Sequence, residues 1–428
     1  MLFLLGAVAC SDSRESGFVP PQVGTDACSI DGQKQFVLDA MRDVYYWNDL
    51  LPESVDLNAH ATAEDLLEFL ISFQPLDDFS YIDLAASDAQ FFGEGQYEGF
   101  GFSSRFEAAD DLRFLRVFAS SPAATAGFQR GQRISMINGR TIADIEANEG
   151  VGALFALPTL EFTIDNAAPI TVNQGLVTID PLPQYEVIAL PGGTNIGYLE
   201  LVTFIGTADD ALNDAFADFR QANVTDIILD LRYNGGGLVS TTELLGNYLG
   251  AAVATDPVFS KTLFNANNAF FNRIAFFQTL TESINLSRLV VIATDRTASA
   301  SELITNSMES HVDVSVVGSV TRGKPVGQLG ITFCDKILRP TSFETVNADD
   351  EGGYFDGLPV DCPAPDDVQI PIGDPADPNI VTAKFLLENG ACPTPTVNST
   401  GLQKPTQSEE RLRENQNGRA WRRLAHAW

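Results

Sequence analysis

Cysteine, histidine and cationic side chains are all scarce in this chain, and each shortage closes a route to function. Five cysteines and three histidines in 428 residues, with no C-x-x-C pair and no His-rich spacing, leave no donor set for a structural zinc site. Lys and Arg number 26 against 57 Asp and Glu, a formal net charge of −31 that repels phosphate backbones and anionic headgroups and argues against a nucleic-acid partner. No apolar run approaches the roughly 20 residues that cross a bilayer as a helix. The G-x-G-x-x-G and Walker phosphate patterns are missing, and so is the G-x-S-x-G nucleophile elbow.

What is present is material for folded cores. Hydrophobic residues make up 44% of the chain and aromatics 10%, so a globular protein is expected, with two to four domains at about 150 residues each. Residues 1–9 read MLFLLGAVA and precede Cys10. That run resembles a bacterial lipobox, which implies cleavage before Cys10, acylation of its thiol and an envelope location. A plain apolar terminus is the other reading. Setting Cys10 aside leaves Cys28, Cys334, Cys362 and Cys392, an even number on a chain read as exported. Two disulfides in any of three pairings, or four buried thiols, are the alternatives.

Along the chain, apolar residues recur at helical spacing from 30 to 51 and from 62 to 73, a small helical cap. From about 95 to 185 short β-rich runs alternate with turns, and residues 121–142, SPAATAGFQRGQRISMINGRTI, resemble a PDZ domain. In that family the loop matching Gly99-Phe100-Gly101-Phe102 offers N–H groups to a peptide's terminal carboxylate, and the next strand takes the peptide by β-augmentation. After Pro191 strands alternate with helices: strands at 196–201, 224–231, 289–293 and 312–320, helices at 209–221, 241–249 and 301–310. An α/β domain follows, with its chemistry at strand ends and helix starts. From 403 the chain is polar and basic.

Three short stretches carry the chemistry. Arg232-Tyr233-Asn234-Gly235-Gly236-Gly237 leaves a buried strand through three glycines, which can turn bare amide N–H groups towards an oxyanion. Thr297-Ala298-Ser299-Ala300-Ser301-Glu302 lies between a strand and a helix. Taken alone, Ser299 with Glu302 is a helix capping box, yet a helix start also suits a nucleophile. Thr321-Arg322-Gly323-Lys324-Pro325-Val326-Gly327-Gln328 is a Gly-bracketed turn whose Lys would ordinarily be a solvated charge.

In order and spacing these stretches resemble the C-terminal processing (tail-specific) serine proteases over roughly residues 25–395. The resemblance implies an α+β multidomain protein: signal and tether at 1–24, an N-terminal helical domain at 25–93, a PDZ-like domain at 94–187, a crotonase-like (ββα superhelix) catalytic domain at 188–398, and a flexible basic tail at 399–428. It implies Ser299 as nucleophile, Lys324 as general base, Gln328 as its orienting partner, and oxyanion donors at Gly237 and Ala300, with Gly236 as the alternative to Gly237. Pro325 stands where many members have Gly. No metal or organic cofactor is implied, and the expected partners are protein or peptide substrates, with the membrane reached only through a lipid anchor.

A Ser-Lys pair requires a neutral amine, and an ordinary lysine near pKa 10.4 reaches that state at neutral pH only if burial disfavours its charge. A Ser-His-Asp triad is poorly supplied, because His60 and His426 lie far from the motifs and His311 is a helix length, roughly 15 Å, from the helix start. Residues 347–352 imitate half an EF-hand but have Leu358 at the twelfth position, so an acidic loop is the reading. Two other functions sit on such a fold: a non-catalytic carrier of a peptide or small apolar ligand, and an acyl-CoA hydratase or isomerase. The latter needs carboxylates beside the oxyanion site and a cytosolic setting.

Overall fold

The computed structural model describes residues 27–394. Cys10 and the segments 1–24 and 399–428 fall outside the described residues. Among those described, no helix is long and apolar enough to cross a membrane.

The sequence pattern places a first helix over 30–51; the helix spans Ile30–Val44. The chain departs at Tyr45 because its backbone finds other partners: Tyr46 N–H donates to Thr341 O at 2.9 Å, and the Asn265 amide donates to Asp43 O and Tyr45 O at 2.7 and 2.8 Å. Tyr45 stays buried although it has left the helix, so the apolar period continues where the helix does not. The second helix, Ala63–Ile71, starts where Thr62 Oγ1 accepts the Asp65 N–H at 3.1 Å. Both helices pack their apolar faces, including Phe36, Met41, Leu66 and Leu70, against Ile331, Phe333 and Leu338 from far down the chain. Strand Tyr81–Leu84 pairs antiparallel with Lys336–Arg339, and Cys28 is bonded to Cys334. The segment expected as a separate helical cap therefore shares its core with a late hairpin.

Residues 96–178 build the β-rich unit. Its five-strand path runs Phe102–Ala108, Asp111–Val117, Arg133–Ile137, Thr159–Ile164 and Ile170–Asn173, with Phe102–Ala108 at one edge. The Asn138-Gly139 pair has φ of 52° and 71° and closes a tight hairpin, as such a pair does when both central residues are left-handed. A phenylalanine-rich core of Phe100, Phe102, Phe114, Phe128 and Phe162 fills the sheet's inner face.

The last unit is a six-stranded sheet ordered Gln184–Ala189, Asn195–Glu200, Asp226–Asp230, Arg288–Ala293, Asp313–Gly318 and Cys362–Pro363, parallel after the first pair. Strand alternation decides what each face buries. Ile227, Leu229, Leu289 and Val291 point to helices Ala208–Gln221, Val239–Gly250 and Ala300–Glu309, while Ile228, Val290 and Ile292 meet helix Pro378–Asn389. That helix is held from beyond its end by Cys362–Cys392. A second, antiparallel sheet of Arg273–Phe276, Val258–Phe264, Thr341–Val346 and Val326–Gln328 has no counterpart in the sequence reading.

Replacing Cys28 and Cys334 together by Ser removes a clip across 306 residues of chain. The expected loss of unfolding free energy is roughly 2–5 kcal/mol. Chemical denaturation of the two proteins checks it; coincident midpoints would show that the clip contributes nothing.

Candidate active site

The three motif-bearing stretches meet at the C-terminal edge of the parallel sheet. Strand Asp226–Asp230 ends in a buried ion-pair chain, Asp230 to Arg232 at 2.6 Å and Arg232 to Asp377 at 2.6 Å. The next residue, Tyr233, is left-handed at φ 62°. Asn234 is fully buried and ties the corner together. Its amide donates to Leu201 O at 2.8 Å, its Oδ1 accepts the Gly236 N–H at 2.9 Å, and its carbonyl accepts from Ala298 N–H and Ser301 Oγ, both at 3.0 Å.

Glycine is required here by close approach. A Cβ on Gly236 would lie 2.8 Å from Ser299 Cβ, and one on Gly237 would lie 2.0 Å from Phe204 O. Because the Gly236 N–H already serves Asn234, the alternative that assigned it to an oxyanion is disfavoured. Among the described residues no acceptor takes the Gly237 or Ala300 N–H.

Ser299 precedes helix Ala300–Glu309 with φ 57° and ψ −115°, a conformation costly for a residue with a Cβ. An ordinary helix cap sits in the extended region, so capping alone does not account for this backbone. The Glu302 half of the capping box is made: Ser299 N–H donates to Glu302 Oε2 at 2.9 Å. Yet that carboxylate, 0% exposed, does more than cap. It also accepts from Thr321 Oγ1, from Gly323 N–H at 2.7 Å and from Lys324 N–H at 2.8 Å. Burial pushes its pKa up, and these four donors pull against that rise. One buried carboxylate thus fastens the Ser299 loop to the Lys324 loop.

Lys324 Nζ donates to Gln328 Oε1 at 2.8 Å. The orientation of Gln328 follows from its other end, where Nε2 donates to Phe79 O at 2.6 Å and Arg339 O at 2.9 Å, leaving Oε1 to face the amine. Pro325 fits the turn: it precedes strand Val326–Gln328, and its carbonyl accepts the Thr345 N–H at 3.0 Å. Burial lowers the Lys324 pKa to about 8, opposed by Asp78 and Asp77 and assisted by Arg322 and Arg339. Ser299, Lys324, Gln328, Gly236 and Gly237 line one cavity of about 1160 Å³.

The same cavity reaches Gly99, Phe100, Gly101 and Phe102 and the edge strand that follows. There the Phe100 and Gly101 carbonyls accept from Ala123 and Phe118 N–H, each at 2.9 Å. Gly101 is forced by φ 84° and by Ser121, whose Cβ would be 2.1 Å from an added one. Arg105 on the edge strand and Arg130 clasp Asp366 at 2.6 and 3.1 Å, and Asp366 accepts from Tyr233 Oη beside the glycine corner. Burial raises the Asp366 pKa, but Arg105 and Arg130 outweigh it and hold it below the usual carboxylate range.

His311 is remote, at the far end of the Ser299 helix with Nε2 on Val258 O at 2.9 Å, and His60 packs on Phe69. The acidic loop at 347–352 folds around Asn347 Oδ1, which accepts from Asp349 and Glu351 N–H at 3.0 and 2.9 Å. Sequence reasoning missed Asn234, Asp366 and Phe79, and saw Glu302 only as half of a cap. An Asn between a buried strand and three glycines was a usable hint; nothing local marked Phe79.

Residues 195–359 match the profile of peptidase family S41, and residues 32–81 match that family's N-terminal domain; the two segments make up half of the chain. The chain is 26% identical over 282 residues to the carboxy-terminal-processing protease of Bartonella bacilliformis, covering 61% of each. It is 23% identical over 316 residues to the carboxy-terminal processing protease CtpA of Bacillus subtilis, covering 70% of this chain and 64% of that one. It therefore spans about three fifths of the length of these relatives. A crystal structure of a candidate S41 protease from Bacteroides fragilis superposes with a TM-score of 0.66 at 22% identity, covering 82% of this chain and 96% of that one, a likeness of fold.

Glu302→Gln puts an NH2 donor where acceptors are needed. A buried donor left without an acceptor costs about 1–3 kcal/mol, so stability should fall by about 2 kcal/mol or more. Amide exchange at Ser299, Gly323 and Lys324 should accelerate together. Unchanged protection at these amides would remove the carboxylate as the fastener.

Proposed function

Because the chain belongs to peptidase family S41, we propose that it is a serine endopeptidase of the C-terminal processing type, working through Ser299 and Lys324. The observation that carries this reading is an amine lowered to about 8 and aimed by Gln328 in the cavity that also holds a strained serine and two bare N–H groups. Near neutral pH a useful fraction of Lys324 is uncharged and accepts the Ser299 Oγ proton as the oxygen attacks a peptide carbonyl. The Gly237 and Ala300 N–H groups receive the oxyanion, at a helix start whose dipole adds positive potential. Lys324 returns the proton to the leaving amine, and water then cleaves the acyl-enzyme on Ser299.

The β-rich unit at 94–187 is read as a PDZ-like module. Its edge strand and the Phe100 and Gly101 N–H groups, which find no acceptor among the described residues, suit a peptide added as a further strand with its terminal carboxylate in the loop. Since that groove opens into the Ser299 cavity, exposed C-terminal tails are the substrate class it favours. The two disulfides and the apolar run before Cys10 support an exported, envelope location with a lipid anchor at Cys10. A purely ligand-carrying role explains neither the Ser299 backbone nor the low-pKa lysine.

Purified protein should degrade an unfolded substrate, and Ser299→Ala and Lys324→Ala should each reduce turnover by a thousandfold or more; equal rates in all three would remove the mechanism. The pH dependence has a definite sign. Below about 8 the amine is protonated, so kcat/KM should fall about tenfold for each pH unit of acidification, and a flat profile from alkaline to mildly acidic pH would contradict a lysine base. For the groove, Ser299→Ala protein should bind an apolar-tailed peptide with a free C-terminus about tenfold more tightly than its C-terminal amide, by fluorescence anisotropy. Equal affinities would remove the terminal carboxylate from recognition.

A further inference from the structure

The Lys324 side chain is enclosed partly by residues outside its own turn, and one of them, Phe79, comes from the N-terminal segment. Its Nζ lies 5.0 Å from the centroid of the Phe79 ring. The Phe79 carbonyl takes the Gln328 Nε2 hydrogen bond at 2.6 Å, so one residue touches both members of the pair. Phe79 is itself held firmly and is 7% exposed. The Asp77 carboxylate accepts from Phe79 N–H at 3.1 Å, Ser80 N–H at 3.0 Å and Thr341 Oγ1 at 3.0 Å, and Ser80 Oγ accepts the Thr341 N–H at 2.8 Å. The turn is therefore wound around a buried carboxylate and pinned to the strand after Arg339, the other acceptor for Gln328.

We propose that Phe79 is a positioning residue for the general base: its ring shuts water away from one side of the Lys324 amine, and its carbonyl sets the Gln328 amide that aims it. The proposal rests on the reading of Lys324 as the base. Two effects of the ring oppose each other. Its π face favours the ammonium, whereas exclusion of water disfavours it, by as much as about 3–5 in pKa for a fully buried lysine. The other charges facing the amine are mixed: Asp77 and Asp78 favour the charged form, Arg322 and Arg339 oppose it. The carboxylates act more strongly than the guanidiniums, so it is burial, the largest influence, that decides the sign, and the N-terminal segment that supplies one wall becomes part of the catalytic apparatus.

The test titrates Lys324 in Ser299→Ala protein by NMR of 13C-labelled lysine, with the resonance assigned by its loss in Lys324→Arg. The midpoint is expected near about 8 with Phe79 in place. Phe79→Ala should raise it by about one pH unit or more, and Phe79→Leu, which keeps an apolar wall, should leave it within a few tenths. In the active enzyme Phe79→Ala should lose about tenfold in kcat/KM at neutral pH, about what one pH unit implies, and recover on the alkaline side. An unmoved midpoint in folded Phe79→Ala overturns the proposal. Should Phe79→Ala not fold, Phe79→Gln replaces it with the same expected rise, and an unmoved midpoint overturns the proposal equally. Retained turnover in Lys324→Ala would overturn the base reading by itself, since the midpoints are read without catalysis.

Discussion

The site depends on one buried carboxylate. Glu302 accepts the Ser299 N–H from the loop before its own helix and the Gly323 and Lys324 N–H groups from the turn after the neighbouring strand. Each of these amides would otherwise point into a water-poor interior unpaired, and each such orphan is expensive. The carboxylate is costly to bury as well, which is why its pKa is raised. Brought together, the two costs offset each other only in one geometry. A displaced Lys324 loop or Ser299 loop leaves both a desolvated acid and unpaired amides, so neither loop moves cheaply without the other.

Around that fastening the charges are arranged so that lysine is the group left weakly paired. Arg232 is sandwiched by Asp230 and Asp377, Arg322 pairs with Asp78 at 2.7 Å, and Arg339 pairs with Asp88 at 2.6 Å. Lys324 is given a neutral amide oxygen and an aromatic face instead. A carboxylate at hydrogen-bond distance would stabilise the ammonium and hold its proton. In a chain with net charge −31, keeping carboxylates from direct contact with one cation is a constraint on placement that composition alone does not reveal.

The legible part of the molecule was the part whose chemistry is local in sequence. Strands such as Asp226–Asp230 and Arg288–Ala293 are buried on both faces and read as continuous apolar runs, and their ends located the glycine corner and the Ser299 helix. The antiparallel sheet was not legible, because Val258–Phe264 is only half-buried and Thr341–Val346 buries Thr and Ser side chains among its apolar ones, so neither shows a clean apolar run or alternation. Helix Ile30–Val44 was overextended because Tyr45 is buried for a tertiary reason. Asp366 and Phe79 had no local signal at all. Their partners Tyr233 and Gln328 lie 133 and 249 residues away, and only the folded chain defines them.

That separation bears on when the chemistry becomes available. In an unfolded or partly folded chain Lys324 is solvated, with the ordinary pKa near 10.4, so almost none of it is free base at neutral pH. The low value exists only after the turn at Asp77 to Ser80 has docked against Thr341, a contact spanning 264 residues, and the Ser299 backbone is held in its strained state only after Asn234 has joined the glycine corner to the serine loop. Contacts at that range form late, since closing long loops costs entropy before any contact compensates. In the proposed mechanism the nucleophile and base are thus inert parts until the tertiary structure is complete, and a chain still being made carries the motif without the reactivity. The Cys28–Cys334 clip joins the same two distant regions, so it restrains the separation on which the amine's environment depends.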